Sequence, residues 1–129
     1  MSDPAPGNGF LAGLHAIDGY GAGGFNFGDM SHRGSILAVP KGVHSWPVTS
    51  PGEITAASLA PVFTADKGTI ELLLVGTGLD LVPVPEPLRR QLKAAGIVAD
   101  PMATGAAART YNILLGERRR VAVALIAVG

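Results

Sequence analysis

At 129 residues the chain has the length of one domain built around a single core. Its ten basic and ten acidic side chains cancel, so no global field draws it towards nucleic acid or an anionic membrane surface. The absence of cysteine excludes disulfides, thiolate nucleophiles and cysteine-ligated zinc, and no apolar run approaches the roughly 18–20 residues of a membrane span.

Residues 1–13, rich in Gly and Pro, read as a flexible lead-in to a single α/β domain over 14–129. The opening MSDPAPGNGF has neither the pattern of a signal peptide nor that of a transit peptide, and the expected compartment is the cytoplasm. From Leu14 to Val48 short β-prone pieces alternate with glycines. Gly21 to Gly24 reads as a turn or bulge. Pro40-Lys41-Gly42 is the bend of a hairpin with arms Gly34 to Val39 and Val43 to Val48.

Ser50 and Glu53 stand at capping-box spacing, and Ile54, Leu59, Val62 and Phe63 predict a short helix near 55–65. Pro61 requires either that Ser58 caps a helix with the proline in its first turn, or that two turns meet at a break. Beyond it the rhythm is regular. Thr69 to Val75 reads as a buried strand ended by Gly76-Thr77-Gly78. Pro87 to Ala95 is a helix punctuated by Gly96, and Ile97 to Ala99 a short strand. Thr104 to Glu117 is a helix and Val121 to Val128 the last strand. Eight consecutive apolar residues make a strand that must be covered on both faces, as in parallel α/β sheets. The alternation of strand and helix implies βαβ units with right-handed crossovers, behind a first half of antiparallel character.

Gly19-Tyr20-Gly21-Ala22-Gly23-Gly24 satisfies the dinucleotide-binding spacing, but Phe25-Asn26-Phe27-Gly28-Asp29 follows it in place of the helix that a pyrophosphate requires. Asp18, Asp29, His32 and His44 have no helix-face spacing, and with His15 they read as structural or exposed. Ser31 and His32 point to opposite faces of a strand, so they form no dyad. No catalytic set, metal site or cofactor site is expected.

Geometry offers a better candidate. Ligands of parallel sheets bind beyond the carboxyl ends of the strands, where Gly76, Thr77 and Gly78 would face Met102, Ala103, Thr104 and Gly105. Thr104 is a suitable N-cap, and free amides at Gly105 and Ala106 would accept a small anion. In the plainer alternative Thr104 only caps and the glycines only turn the chain. Arg109 would complete a pocket with Thr77 and Thr104, although a helical wheel centred on Ala107, Tyr111 and Leu114 puts it on the outer side with Asn112 and Gly116. Charge is also uneven. Residues 1–80 hold seven acids and three bases, so the remainder is basic, through Arg89, Arg90, Lys93, Arg118, Arg119 and Arg120 among others. These complement helix C-termini, or form a surface for an acidic protein partner.

GYGAGGFNFGDMSHRGSILAVPKGVHSW, ELLLVGTG, LRRQLKAAGI and above all MATGAAARTYNILLGERRRVAVALIAVG resemble the small α/β domain shared by mitochondrial NADH:ubiquinone oxidoreductase (complex I) assembly factor 3, the adipogenesis-associated protein and uncharacterised bacterial proteins. The resemblance runs from about Ile17 to Val128. It implies a three-layer β+α/β/α fold around a mixed, mostly parallel sheet of about five strands with an N-terminal antiparallel hairpin region. It supplies no catalytic residues. The expected function is therefore a non-catalytic protein-binding or assembly module, with a link to respiratory complexes implied by the resemblance alone. The alternative is a small-molecule or anion-binding protein with its site at the carboxyl ends of the strands.

Overall fold

The computed structural model describes residues 10–129, so most of the expected lead-in lies outside the described residues. The order of elements is β1 (Leu11–Ala12), β2 (Gly19–Gly21), β3 (Gly24–Phe27), β4 (Met30–Arg33), β5 (Ser35–Val39), β6 (Gly42–Trp46), α1 (Ala60–Phe63), β7 (Leu72–Gly76), α2 (Glu86–Ala94), β8 (Val98–Met102), α3 (Thr104–Gly116) and β9 (Val121–Leu125). One sheet has the order β1-β6-β5-β9-β7-β8, and β2-β3-β4 form a separate antiparallel meander.

The apolar run at the C-terminus becomes β9, near the middle of the larger sheet. It pairs parallel to β7, with Leu74 opposite Val123, and antiparallel to β5, with Ala38 opposite Val123. Its alternate side chains enter two cores. Ala122 and Ala124 join Leu37, Leu73 and Val75 under Leu59 and Val62 of the α1 region and Leu88 and Leu92 of α2. Val121, Val123 and Leu125 join Ile36, Ala38 and Leu74 under Ala107, Ala108 and Tyr111 of α3 and under Phe25 and Phe27 of the meander. The result is three layers, with β9 shielded on both faces. Parallel pairing is confined to β7 with β8 and β9, and the remaining pairs are antiparallel.

Local differences from the sequence expectation have nonlocal causes. The helix near 55–65 resolves into a 3₁₀ turn, Ala57–Leu59, followed by the single turn of α1, with Pro61 in that turn. Ser58 does not cap α1: its hydroxyl donates to Thr55 O at 2.8 Å and accepts the Thr55 amide at 2.9 Å. Trp46 holds the turn by donating from Nε1 to Ser58 O at 2.8 Å. Strand β8 continues to Met102, through Pro101. Val98 N donates to Glu71 O and Met102 O accepts from Thr77 N, so by alternation the Pro101 nitrogen faces away from β7, where no ladder bond is lost. β9 ends earlier than the apolar run, at Leu125. Ile126 N still donates to Gly76 O, Ala127 N goes to Ser35 Oγ, and Val128 O accepts from Gly23 N in the β2–β3 turn.

Candidate functional site at the carboxyl ends of the strands

Beyond the ends of β7, β8 and β9 the two loops singled out in the sequence meet directly. Gly78 N donates to Thr104 Oγ1 at 3.0 Å, and Thr104 N donates to Gly78 O at 2.8 Å. Gly76 makes this approach possible. A Cβ there would lie 2.8 Å from Leu125 Cδ2 and 2.9 Å from Thr104 Cα, so the start of α3 rests on bare backbone. Gly78 adopts a φ of +104°, which turns the chain sharply out of the strand.

Both threonine hydroxyls are spent on this junction. Thr104, fully buried, donates to Ile126 O at 2.7 Å while accepting the Gly78 amide. The N-cap position of α3 is Ala103, and no side chain caps it; the Thr104 hydroxyl is drawn instead to the exit of β9. Thr77 is also buried. It donates to Asp80 O at 2.6 Å and accepts the Val82 amide at 2.9 Å, and its own amide donates to Met102 O at 2.9 Å. Met102 is half-buried against the α3-side core. Gly105 lies under Tyr20 of β2, whose hydroxyl and ring occupy the space a Cβ would need. Arg109 is exposed, further along α3, and has no ion-pair partner among the described residues.

The crevice is therefore closed by the chain's own hydrogen bonds and by an aromatic ring. Beside it the loop from Gly78 to Pro85 carries Leu79, 80% exposed, Leu81, 58% exposed, and Val82, while Val84 is buried and anchors the loop. Sequence reasoning passed over these residues. The available signal was three large apolar side chains between Gly78 and Pro83, in a segment too short and too proline-rich for a strand or helix.

The basic residues fall into two groups. Arg89, Arg90 and Lys93 are exposed on α2 and line a groove of about 380 Å³ with Glu86 and Val98, where Arg90 pairs with Glu86 at 2.8 Å. Arg118, Arg119 and Arg120 form the turn from α3 into β9, with Arg118 at a φ of +61°. Arg119 and Arg120 both reach Glu71, at 3.5 and 3.4 Å, and Arg120 also donates to Gly68 O at 2.8 Å. α2 and α3 cover opposite faces of the sheet, so the two groups belong to different layers.

The glycine-rich stretch from Gly19 to Gly24 forms the β2–β3 hairpin, with Gly21 opposite Gly24, and the helix needed for phosphate does not follow. His15 Nε2 lies 2.9 Å from Ala12 O. His32 Nε2 is buried with no hydrogen-bond partner among the described residues. Asp18 and Asp29 are exposed. Among the described residues no group of three or more His, Asp or Glu side chains is placed to hold a metal ion, and no helix is long and apolar enough to cross a membrane. Asn112, grouped with Arg109 in the sequence, is half-buried: its side-chain amide accepts from Ile17 N and donates to Ile17 O, both at 2.8 Å. Burial pushes the Tyr111 phenol up to about 12, so it remains a neutral part of the core.

The model of a family of unknown function, DUF498/DUF598, matches residues 17–126. An uncharacterised protein of Rhodobacter capsulatus is 39% identical over 116 residues, covering 90% of this chain and 87% of that protein. NADH dehydrogenase [ubiquinone] 1 alpha subcomplex assembly factor 3 of Danio rerio is 32% identical over 110 residues, covering 85% of this chain but only 63% of that protein's length. The crystal structure of a Bartonella henselae protein described as an outer membrane protein superposes with a TM-score of 0.88 at 46% identity, covering 92% of this chain and 99% of that one. The chain belongs to the DUF498/DUF598 family, which it shares with these assembly factors.

Proposed function

We propose that this chain is a non-catalytic protein-binding module that helps assemble a larger complex, and that the complex is a respiratory one. The reading is carried by a single observation. Where a parallel sheet would offer a ligand site, Thr77 and Thr104 spend their hydroxyls on hydrogen bonds within the chain, and beside it Leu79, Leu81 and Val82 are exposed, with no covering element among the described residues. An exposed apolar cluster next to a filled crevice suits a protein surface better than a small molecule. Kinship with the Danio rerio assembly factor supports the same class of role, and the basic residues of α2 would add electrostatic steering towards an acidic partner.

The experiment is affinity capture of the purified chain from native lysate, followed by mass spectrometry, with wild type, Leu79→Ser/Leu81→Ser and Arg89→Ser/Lys93→Ser proteins. A stoichiometric partner retained by wild type and lost from the leucine variant is the expected result. No stoichiometric partner for any form, or equal retention by the leucine variant, would remove the basis of the reading. A small-anion site at the first turn of α3, the other reading of these residues, would require Tyr20 to leave its place over Gly105.

A further inference from the structure

A second hollow, of about 550 Å³, opens at the opposite end of the sheet, between the β5–β6 turn and α1. Its walls include Val39, Pro40, Pro61 and Ala65, and Phe10 closes one side. The Phe10 ring rests on Gly42, where a Cβ would come within 2.5 Å of two ring carbons, and its centroid is 4.8 Å from that of the His44 ring. Glycine at 42 thus shapes the hollow by admitting an aromatic wall.

The polar groups are few. Thr64 and Thr69 donate their hydroxyl protons to Ala60 O and Asp66 O. Lys41 and Asp66 stand exposed at the rim, opposite in sign, and neither has an ion-pair partner among the described residues. The His44 imidazole contacts Phe10 but makes no hydrogen bond among the described residues. Burial lowers its pKa and so favours the neutral ring, which carries one donor and one acceptor nitrogen.

We infer that this hollow binds an uncharged, mainly apolar small molecule that presents one hydrogen-bonding group to the His44 imidazole. The volume lies in the usual range of small-molecule sites, about 300–1,000 Å³, and such sites pair apolar walls with a few polar groups that fix orientation. An anion that gained Lys41 would also meet Asp66, and a cation the reverse. A neutral ligand meets a rim whose charges cancel, and leaves no ion to be desolvated against the proline and valine walls.

The test titrates the full chain with benzyl alcohol, benzoate and benzylamine, following backbone and His44 ring signals by heteronuclear NMR. Benzyl alcohol is expected to produce saturable shifts at Val39, His44 and Ala65, with half-saturation about tenfold lower than for either charged analogue, a difference of ~1.4 kcal/mol. Thr64→Phe, which places a ring over the mouth from an exposed position, is expected to abolish those shifts while leaving the Tm within a few degrees of wild type. Absence of saturation in the wild-type chain overturns the inference, as do equal affinity for benzoate or benzylamine and unchanged binding in a folded Thr64→Phe variant. Dilution-dependent shifts at His44 and Ala65 without ligand would also overturn it, because a second copy of the chain would then cover the hollow. Loss of partner capture by the Leu79→Ser/Leu81→Ser protein has no bearing on these signals, so the two readings fail separately.

Discussion

Thr104 donates its hydroxyl proton to the Ile126 carbonyl across 2.7 Å, joining the first turn of α3 to the residue that follows β9. The same oxygen accepts the Gly78 amide, so one buried side chain ties three segments that are far apart in sequence. Replacing it with valine keeps shape but leaves a buried carbonyl and a partly buried amide without partners. Each unmet group costs about 1–3 kcal/mol. Thr104→Val is expected to lower stability by ~2–4 kcal/mol in urea unfolding, while Thr104→Ser retains most of it. Equal stability of the two variants would contradict the bonding described.

Gly76 and Gly105 both lie at this junction, yet their alanine variants should behave differently. A Cβ at Gly76 meets the packed Leu125 side chain and the Thr104 backbone, neither of which can withdraw, so overpacking should cost about 1–3 kcal/mol. A Cβ at Gly105 meets only the far end of the Tyr20 side chain, which is itself 44% exposed and can give by a small shift while staying over the turn. The gain in helix propensity, up to about 1 kcal/mol, offsets the lost contact, and Gly105→Ala is expected to be nearly neutral. Paired thermal melts of the two variants check the contrast.

Asn112 fastens the segment before the meander to α3 by satisfying both main-chain groups of Ile17. Asn112→Ala should therefore cost ~1–3 kcal/mol. The loss should be local as well as global. Hydrogen exchange of the Ile17 amide is expected to accelerate more than that of Val123, deep in the sheet.

The pH dependence follows from two groups. His44 has its pKa lowered by burial, so the unfolded chain takes up a proton near the ordinary value of 6.5 before the folded chain does. Its contribution is intact above that value and is lost as pH falls below it. Glu53 is held below its ordinary 4.5, first by the hydrogen bond from the Thr49 amide. Its contribution is present above that value and is lost at more acid pH. Stability should fall from pH 7 to 5, and His44→Gln should flatten that part of the curve while leaving the more acid decline. A wild-type curve that is level from pH 7 to 5 would contradict the assignment to His44.

β9 carries the centre of the fold, and its side chains should be correspondingly sensitive. Leu125→Ala removes a fully buried side chain packed with Ile36 and Leu74, with an expected cost of ~2–5 kcal/mol. Val98→Thr, on the edge strand and 63% exposed, should change stability by less than about 0.5 kcal/mol. Chemical denaturation of both would place the core on β9 or remove it from there.

Much of this arrangement was legible along the chain because it is local. The apolar run from Val121 marks a doubly covered strand, Gly96 ends α2, and Pro40-Lys41 turns a hairpin whose two arms are strands β5 and β6. The meeting of Gly76-Thr77-Gly78 with Met102 to Gly105 also follows from the βαβ order, since both loops must leave the same end of the sheet. What periodicity and propensity report is burial and backbone preference over a few residues. Which acceptor takes the Thr104 proton 22 positions away, or which main chain Asn112 grips 95 positions away, depends on contacts that no local pattern encodes. The same holds for Pro101 within a strand, acceptable only because its nitrogen faces an open edge, and for Leu79 and Leu81, apolar residues that the fold leaves in water. The sequence by itself determined the elements and the layers they require. Only the tertiary structure decided that the crevice is closed and that the apolar surface lies beside it, because hydrogen-bond partners and solvent exposure are settled when distant segments compete for the same space.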